Sequence, residues 1–147
     1  MTTVASILRS KGDDRVHAIR PQATVYEAIA LMAEMQIGSL LVMQDDEVVG
    51  IITERDYARK IALMDRSSKQ TAVQDVMSAP VKYVRPHQSA DECMRLMTES
   101  RLRHLPVIEE GKLLGLVSIG DLVKSIISEQ QFVIEQLEQY ITGGPAP

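Results

Sequence analysis

The amino-acid sequence predicts a mixed α/β (α+β) protein: two copies of a strand-helix-strand-strand-helix unit, the second running into an extended C-terminal helix. Three observations carry this. Gly50-Ile51-Ile52-Thr53-Glu54-Arg55-Asp56 has a twin in Gly115-Leu116-Val117-Ser118-Ile119-Gly120-Asp121, and the same offset of 65 residues carries Arg20-Pro21 onto Arg85-Pro86, Leu31-Met32 onto Leu96-Met97 and Val42 onto Val107. Thr24-Val25-Tyr26-Glu27 and Ser89-Ala90-Asp91-Glu92 each place a hydroxyl three residues before a glutamate, the spacing at which side chain and backbone satisfy each other's free amides at a helix start. After each of these helices come two short apolar runs around an acidic turn, which read as paired, buried strands.

Taken in order, Val4, Ile7 and Leu8 at helical spacing make a short lead-in helix that Gly12-Asp13-Asp14 ends. Val16–Ile19 alternates as a short strand closed by Arg20-Pro21, since proline cannot donate to a ladder. The helix capped by Thr24 presents Val25, Ala28, Ile29, Leu31, Met32 and Met35 on one face, with Gly38 at the expected left-handed cap. Leu40–Met43 and Val48–Ile52 are the strand pair, and Thr53 opens a helix to about Met64. Polar, unpatterned 65–72 is the linker, so the chain divides into 1–64 (lead-in and first repeat), 65–72, and 73–141 (second repeat), with 142–147 as a disordered tail. In the second repeat Val73–Met77 is a helical turn, Val81–Val84 a strand, Leu105–Ile108 and Leu113–Val117 the strand pair. Each copy is too small to bury both faces of its sheet alone, so the two are expected to pack around a pseudo-two-fold axis.

The last helix, about Ile119 to Tyr140 before Gly143-Gly144, is roughly ten residues longer than its counterpart. Ile127, Ile134 and Ile141 recur at seven residues, with Val123, Val133 and Leu137 beside them. This stripe either folds back on the domain or serves self-association, because three turns of apolar surface left in water form an exposed patch.

Composition narrows the function. A net charge of −4 with no basic run leaves no footprint for DNA, and 3% aromatics leave few stacking platforms for single strands. One cysteine permits no internal disulfide, the start lacks a signal peptide's pattern, and no apolar run approaches the ~18 residues of a membrane span. The expectation is therefore a cytoplasmic protein with no membrane partner. His17, His87 and His104 are scattered, so no metal site is expected, and Cys93, equivalent to Ala28 on an apolar face, reads as a packing cysteine. No phosphate loop or nucleophile-base constellation can be assembled, which argues against an enzyme and against a catalytic cofactor.

What remains is the paired motif. A hydroxyl followed three residues later by an acid is an N-cap on its simplest reading. Here, however, both copies use aspartate, which reaches back less well than the glutamate of the other helices and leaves a carboxylate projecting beside the carboxyl end of a buried strand, where α/β proteins place ligands. A nucleotide fits: the carboxylates of Asp56 and Asp121 can accept from ribose hydroxyls while free helix amides and the Thr53 or Ser118 hydroxyl donate to phosphate. A cation should stand nearby. Arg55 is the candidate in the first copy, while the second has Gly120 there and Arg101, Arg103 and His104 before the preceding strand; Arg103 occupies the position of Gly38.

These paired segments, together with Arg103-His104-Leu105-Pro106-Val107 and Asp75-Val76-Met77-Ser78, resemble a tandem pair of cystathionine β-synthase (CBS) domains, the Bateman module, over Asp13 to Tyr140. Thr53–Tyr57 and Ser118–Leu122 are similar to stand-alone bacterial two-copy proteins with no catalytic domain. The resemblance implies a non-catalytic regulatory module whose cleft holds an adenosine ligand such as AMP, ADP, ATP, NAD(H) or S-adenosylmethionine. It implies that Asp56 and Asp121 hold ribose, that Thr53, Ser118, Arg55, Arg103 and His104 meet phosphate near Gly120, and that residues around Ala18, Ile19, Met77, Ser78 and Val81 enclose adenine. It also implies disc-like homodimers signalling to a regulated protein. The differences at Arg55/Gly120 and at Gly38-Ser39/Arg103-His104 point to two unequal sites. The alternative is a structural or interaction protein that works through its C-terminal helix without ligand; a catalytic or RNA-binding role is the weakest reading.

Overall fold

A computed structural model describes residues 2–12 and 16–142. The elements run α1 (Val4–Lys11), β1 (Ala18–Ile19), α2 (Val25–Met35), β2 (Ser39–Gln44), β3 (Glu47–Thr53), α3 (Glu54–Asp56, continued as a π-helical stretch Tyr57–Ala62), a 3₁₀ turn (Val73–Asp75), α4 (Ala90–Ser100), β4 (His104–Glu109), β5 (Lys112–Ser118) and α5 (Ile119–Thr142). The expected order therefore appears twice, with shorter leading strands. The first repeat keeps only Ala18–Ile19 as a strand, and the second reduces Val81–Val84 to a parallel bridge between Val84 and Val107. The glycines proposed to stop the last helix, and the tail after Thr142, lie outside the described residues.

The chain forms two compact units, one of residues 1–14, 83–109 and 114–147, the other of residues 15–82 and 110–113. In the second of these, β1 pairs parallel to β2 and β2 antiparallel to β3, and Leu40, Val42 and Ile52 pack against Val25, Ala28 and Met32 of α2. Both Thr24 and Ser89 form full capping boxes, as the spacing requires. The left-handed residue that ends α2 is Gln36 rather than Gly38, and its counterpart Arg101 ends α4 in the same way. Gly38 instead serves the start of α3. Its carbonyl accepts the Glu54 N–H at 3.0 Å, and a Cβ there would stand 2.9 Å from the Glu54 carboxylate. Arg103 carries the equivalent bond, accepting the Ile119 N–H at 2.8 Å, so an arginine is tolerated where no glutamate follows.

The lead-in helix adjoins the first repeat in sequence but not in packing. Val4 and Ile7 of α1 are buried with Val84, Cys93, Met97, Leu105, Val117 and Leu122 of the second repeat. Conversely, Val73 and Val76, which open the second repeat in sequence, are buried with Val25, Met32 and Ile52 of the first. The hydrogen bonds match: Thr3 bridges to Ser89 and Thr24 to Ala72. Each repeat's core is thus joined by two apolar residues three apart on one short helical turn. The linker is likewise ordered by this docking, the Thr71 and Ser68 carbonyls accepting the N–H groups of Val25 and Tyr26 at 2.9 Å.

Candidate functional site

In the first repeat, β3 delivers Thr53 to the start of α3. The Asp56 N–H donates to Thr53 Oγ1 (3.0 Å), while the Thr53 N–H and hydroxyl donate to Asp56 Oδ2 (3.0 and 3.1 Å). The aspartate thus reaches back fully, correcting the expectation that its shorter side chain caps poorly: the carboxylate folds over the helix end rather than projecting from it. Its other oxygen, Oδ1, lies 3.1 Å from Lys60 Nζ and accepts from Ser78 Oγ at 3.3 Å. Lys60 Nζ also donates to the Val76 carbonyl at 2.8 Å. Asp56 is consequently 8% exposed. Because Lys60 sits four residues on, in the π-helical stretch, the widening of the backbone falls at the ion pair, and such stretches are frequent at functional sites.

The adjacent cation is therefore Lys60, not Arg55. Arg55 is exposed and makes no ion pair among the described residues. Ser78 reaches Asp56 because its backbone pairs with Ile51 on the outer edge of β3. Gly50 permits that approach, since a Cβ there would meet Met77 Sδ at 2.5 Å and the Ser78 carbonyl at 3.1 Å. Within this unit Ala18 and Ile19 stand apart from the cluster. The register runs Ala18 to Leu41 to Ile51 to Ser78, three strand spacings or about 14 Å. Ala18 and Ile19 instead border an open hollow of ≈ 810 Å³ with Arg20, Gln22, Met43, Gln44 and Asp45. Met77 is half-buried in the first repeat's core, and Val81 is half-buried beyond it.

The second repeat builds the same cap from Ser118 and Asp121: the Asp121 N–H donates to Ser118 Oγ (3.1 Å) and the Ser118 N–H to Asp121 Oδ2 (2.9 Å). Its cation is Lys11, whose Nζ is 3.0 Å from Asp121 Oδ2 and donates to the Leu116 carbonyl at 2.8 Å. Burial alone pushes the Asp121 carboxyl up, but the Ser118 N–H and the Lys11 ammonium outweigh it, and the group lies below its ordinary value. His104, at the head of β4, is held below the ordinary imidazole value by burial first, with Lys11 and Arg103 adding to the effect and Asp121 opposing it. Arg103 and Gly120 are exposed.

Beside this cap, α1 and α5 enclose a pocket of ≈ 200 Å³ bordered by Lys11, Asp121 and Lys124 and by the hydroxyls of Ser6, Ser10 and Ser125 among others. Neither Lys11 nor Lys60 is reached by reading the sequence. The i,i+4 spacing of Asp56 and Lys60 is a usable signal for one; nothing in the sequence places Lys11 beside Asp121. Among the described residues no buried side-chain polar atom lacks a partner, and no group of three potential metal ligands forms.

A sequence profile of the CBS domain matches residues 4–63 and again 73–128. A solved structure of a protein with CBS domains from Burkholderia ambifaria MC40-6 is 58% identical, covers 88% of this chain and 96% of its own, and superposes with a TM-score of 0.80. The mitochondrial CBS domain-containing protein CBSX3 of Arabidopsis thaliana is 40% identical over 97% of this chain and 73% of its own length. CBSX2, solved in complex with AMP, shares the fold at 24% identity, with a TM-score of 0.73 over 88% of this chain and 99% of its own. With two profile matches on the two sequence repeats, and the same capped aspartate ending the strand pair in both, this chain belongs to the CBS-domain family as a tandem CBS pair.

Proposed function

We propose that this CBS pair is a non-catalytic sensor of adenine nucleotides, with AMP, ATP and NAD(H) as the candidate ligands, and that occupancy is signalled through the arrangement of a homodimer to a regulated protein. The observation that carries the reading is the pair of carboxylates, Asp56 and Asp121, each held at a strand end with a lysine ammonium 3.1 or 3.0 Å away. Each site brings together the two things a nucleotide needs, an acceptor for ribose hydroxyls and a cation for phosphate. In this reading Lys60 and Lys11 exchange the carboxylate for the phosphate as the ribose takes their place. Thr53, Ser118, Arg55, Arg103 and His104 add donors, Gly120 leaves the second site open, Ala18, Ile19, Met77 and Val81 offer apolar contact to the base, and the Ser78 hydroxyl is a further polar group beside them.

A second reading is favoured by one specific fact: both carboxylates already have their partners within the chain, through the cap and the lysine. On that reading the caps are structural and the protein works through interaction alone. A thermal-shift panel with protein unfolded and refolded to strip co-purified ligand separates the two. A nucleotide at 100 times its dissociation constant adds ~2.7 kcal/mol to stability. If AMP, ATP, NADH and S-adenosylmethionine all leave the melting temperature unmoved, the sensor reading fails.

A further inference from the structure

Helices α1 and α5 run antiparallel, and two polar contacts fix their register. Lys11 Nζ stands 3.0 Å from Asp121 Oδ2 at one end, and Thr2 Oγ1 donates to Glu129 Oε2 at 3.2 Å at the other. Between them, over about 12 Å of α5, the two helices do not close on each other; the gap is the pocket of ≈ 200 Å³ beside the Asp121 cap. Val4 and Leu122 turn into the core, while Ser6 and Ser10 of α1 and Lys124, Ser125 and Ser128 of α5 border the pocket. Packing alone does not account for these serines, since alanine fills nearly the same space and favours a helix more. The side chains differ in what they have left to give. Thr2 is bound to Glu129, the Ser6 hydroxyl donates to the Thr3 carbonyl at 2.8 Å, and Lys11 and Asp121 balance each other's charge. Among the described residues, Lys124 makes no ion pair, and the hydroxyls of Ser10, Ser125 and Ser128 make no hydrogen bond. The groove therefore has an acidic end at Glu129 and a basic end, where one uncompensated ammonium and two hydroxyls from facing helices lie within a turn of Lys11 and Asp121.

We propose that the basic end of this groove binds a phosphoryl group, held by the Lys124 ammonium and the Ser10 and Ser125 hydroxyls. A phosphoryl group presents three strong acceptor oxygens, so it takes donors from two facing helices together. It also suits Asp121 in the wall, because a monohydrogen phosphate has one P–O–H to donate to a carboxylate, which sulfate lacks. At ≈ 200 Å³ the pocket is smaller than the ~300–1,000 Å³ that encloses a whole drug-sized ligand. It therefore takes a free phosphate or small phosphate ester, or the phosphate chain of a nucleotide whose ribose lies at Asp121; both bring the same chemistry to Lys124. The first repeat does not reproduce the arrangement. Its equivalent of Ser125 is Lys60, which is bound to Asp56 and to the Val76 carbonyl.

The test is a titration of the full chain, followed by calorimetry and amide NMR shifts at constant ionic strength, with inorganic phosphate, sulfate, AMP and ATP as probes. Inorganic phosphate is expected to saturate with a dissociation constant of about 1 mM or below, tighter than one screened surface lysine supplies, and to shift the amides of Ser10, Lys124 and Ser125. Lys124 is exposed, so Lys124→Gln should fold unchanged by circular dichroism while binding phosphate about tenfold more weakly. Ser125→Ala should weaken it several-fold, and Lys112→Gln, at an exposed lysine outside the pocket, should not. Dependence on Lys124 supports the site, and the probes tell the sources apart. A loss for ATP but not AMP marks the phosphate chain of a nucleotide; a loss for inorganic phosphate with both nucleotides unmoved marks a free phosphate. The site is overturned if neither inorganic phosphate nor ATP responds to Lys124→Gln, if Lys112→Gln has the same effect, or if sulfate binds as tightly as phosphate. Nucleotides that bind equally well to Lys124→Gln, with no phosphate binding, overturn this site and leave the sensor reading standing; phosphate binding without nucleotide binding does the reverse.

Discussion

Lys11 Nζ stands 3.0 Å from Asp121 Oδ2 and Lys60 Nζ 3.1 Å from Asp56 Oδ1, yet the two lysines do not correspond in the repeat. The residue 65 positions after Lys60 is Ser125, and Lys11 arrives from the lead-in helix docked on the second repeat. The chain thus satisfies equivalent carboxylates by unrelated routes. Each lysine also donates to one backbone carbonyl at 2.8 Å, which fixes its position better than an ion pair alone.

Because the Lys11 and Asp121 side chains are 26% and 22% exposed, the ion pair is partly screened, and Lys11→Met should cost no more than about 1 kcal/mol of stability. Asp121→Ala also removes the bond to the Ser118 N–H and should cost about 1–2 kcal/mol. Asp121→Asn, which can still accept that bond, should fall between them. Urea denaturation of the three variants checks the order; equal losses for Lys11→Met and Asp121→Ala would assign the stability to the lysine rather than the cap.

Two groups of the second site make stability depend on pH in the same direction. His104 binds its proton less readily in the folded chain than in the unfolded one, so the unfolded state takes up more protons as pH falls through about 6.5, and stability drops. Asp121, whose folded value also lies below its unfolded one, adds a second loss as pH falls through about 4 and below. Unfolding free energies measured from pH 8 to 5 should decline for the natural protein and stay flatter for His104→Gln. An NMR titration should place the His104 midpoint below that of a free imidazole.

Gly50→Ala should destabilise by about 1–3 kcal/mol, because the new Cβ meets both Met77 and the backbone of Ser78 and pushes the segment that supplies Ser78 away from Asp56. Gly120→Ala is the control. Its Cβ has only Ser118 Oγ within reach, at 3.6 Å, and a helical alanine gains up to about 1 kcal/mol over glycine. Thermal melts of the two variants should therefore move in opposite directions.

Cys93 is fully buried, and its thiol is pushed up to about 11 by burial first and the Glu92 charge second. The thiolate that reacts is almost absent at neutral pH. Native protein should leave a thiol reagent such as dithiobis-nitrobenzoate unreacted over minutes, with one equivalent consumed in denaturant. Cys93→Ala, matching Ala28 in the first repeat, should fold with a loss of about 1–2 kcal/mol.

Much of the local architecture can be read directly. The capping boxes at Thr24 and Ser89, the strand pairs, the caps at Thr53 and Ser118 and the packing role of Cys93 all follow from spacing within a few residues, where one side chain reaches one known backbone group. Gly38 shows the limit of that reasoning. A glycine near a helix end suggests the left-handed cap, but Gln36 takes that conformation and Gly38 makes room for the Glu54 carboxylate, a neighbour known only once β2 and α3 have met. That Lys60 rather than Arg55 stands beside Asp56 has a local reason: adjacency along a helix start points a side chain outward, while i,i+4 spacing points Lys60 back over Asp56.

Residue order alone dictates that there are two repeats, that each ends a buried strand in a hydroxyl and an aspartate, and that the last helix carries an apolar stripe beyond what its counterpart has. These are periodic or short-range properties. Which lead-in covers which repeat is settled only by folding, and with it that Lys11 serves Asp121 while Val73 and Val76 complete the core of the first repeat. Both turns carry two apolar residues three apart, so spacing alone assigns neither of them to a repeat. The choice is made by which docking buries Val4 and Ile7, or Val73 and Val76, with their backbone groups bonded, and that is a property of the folded chain rather than of any segment within it.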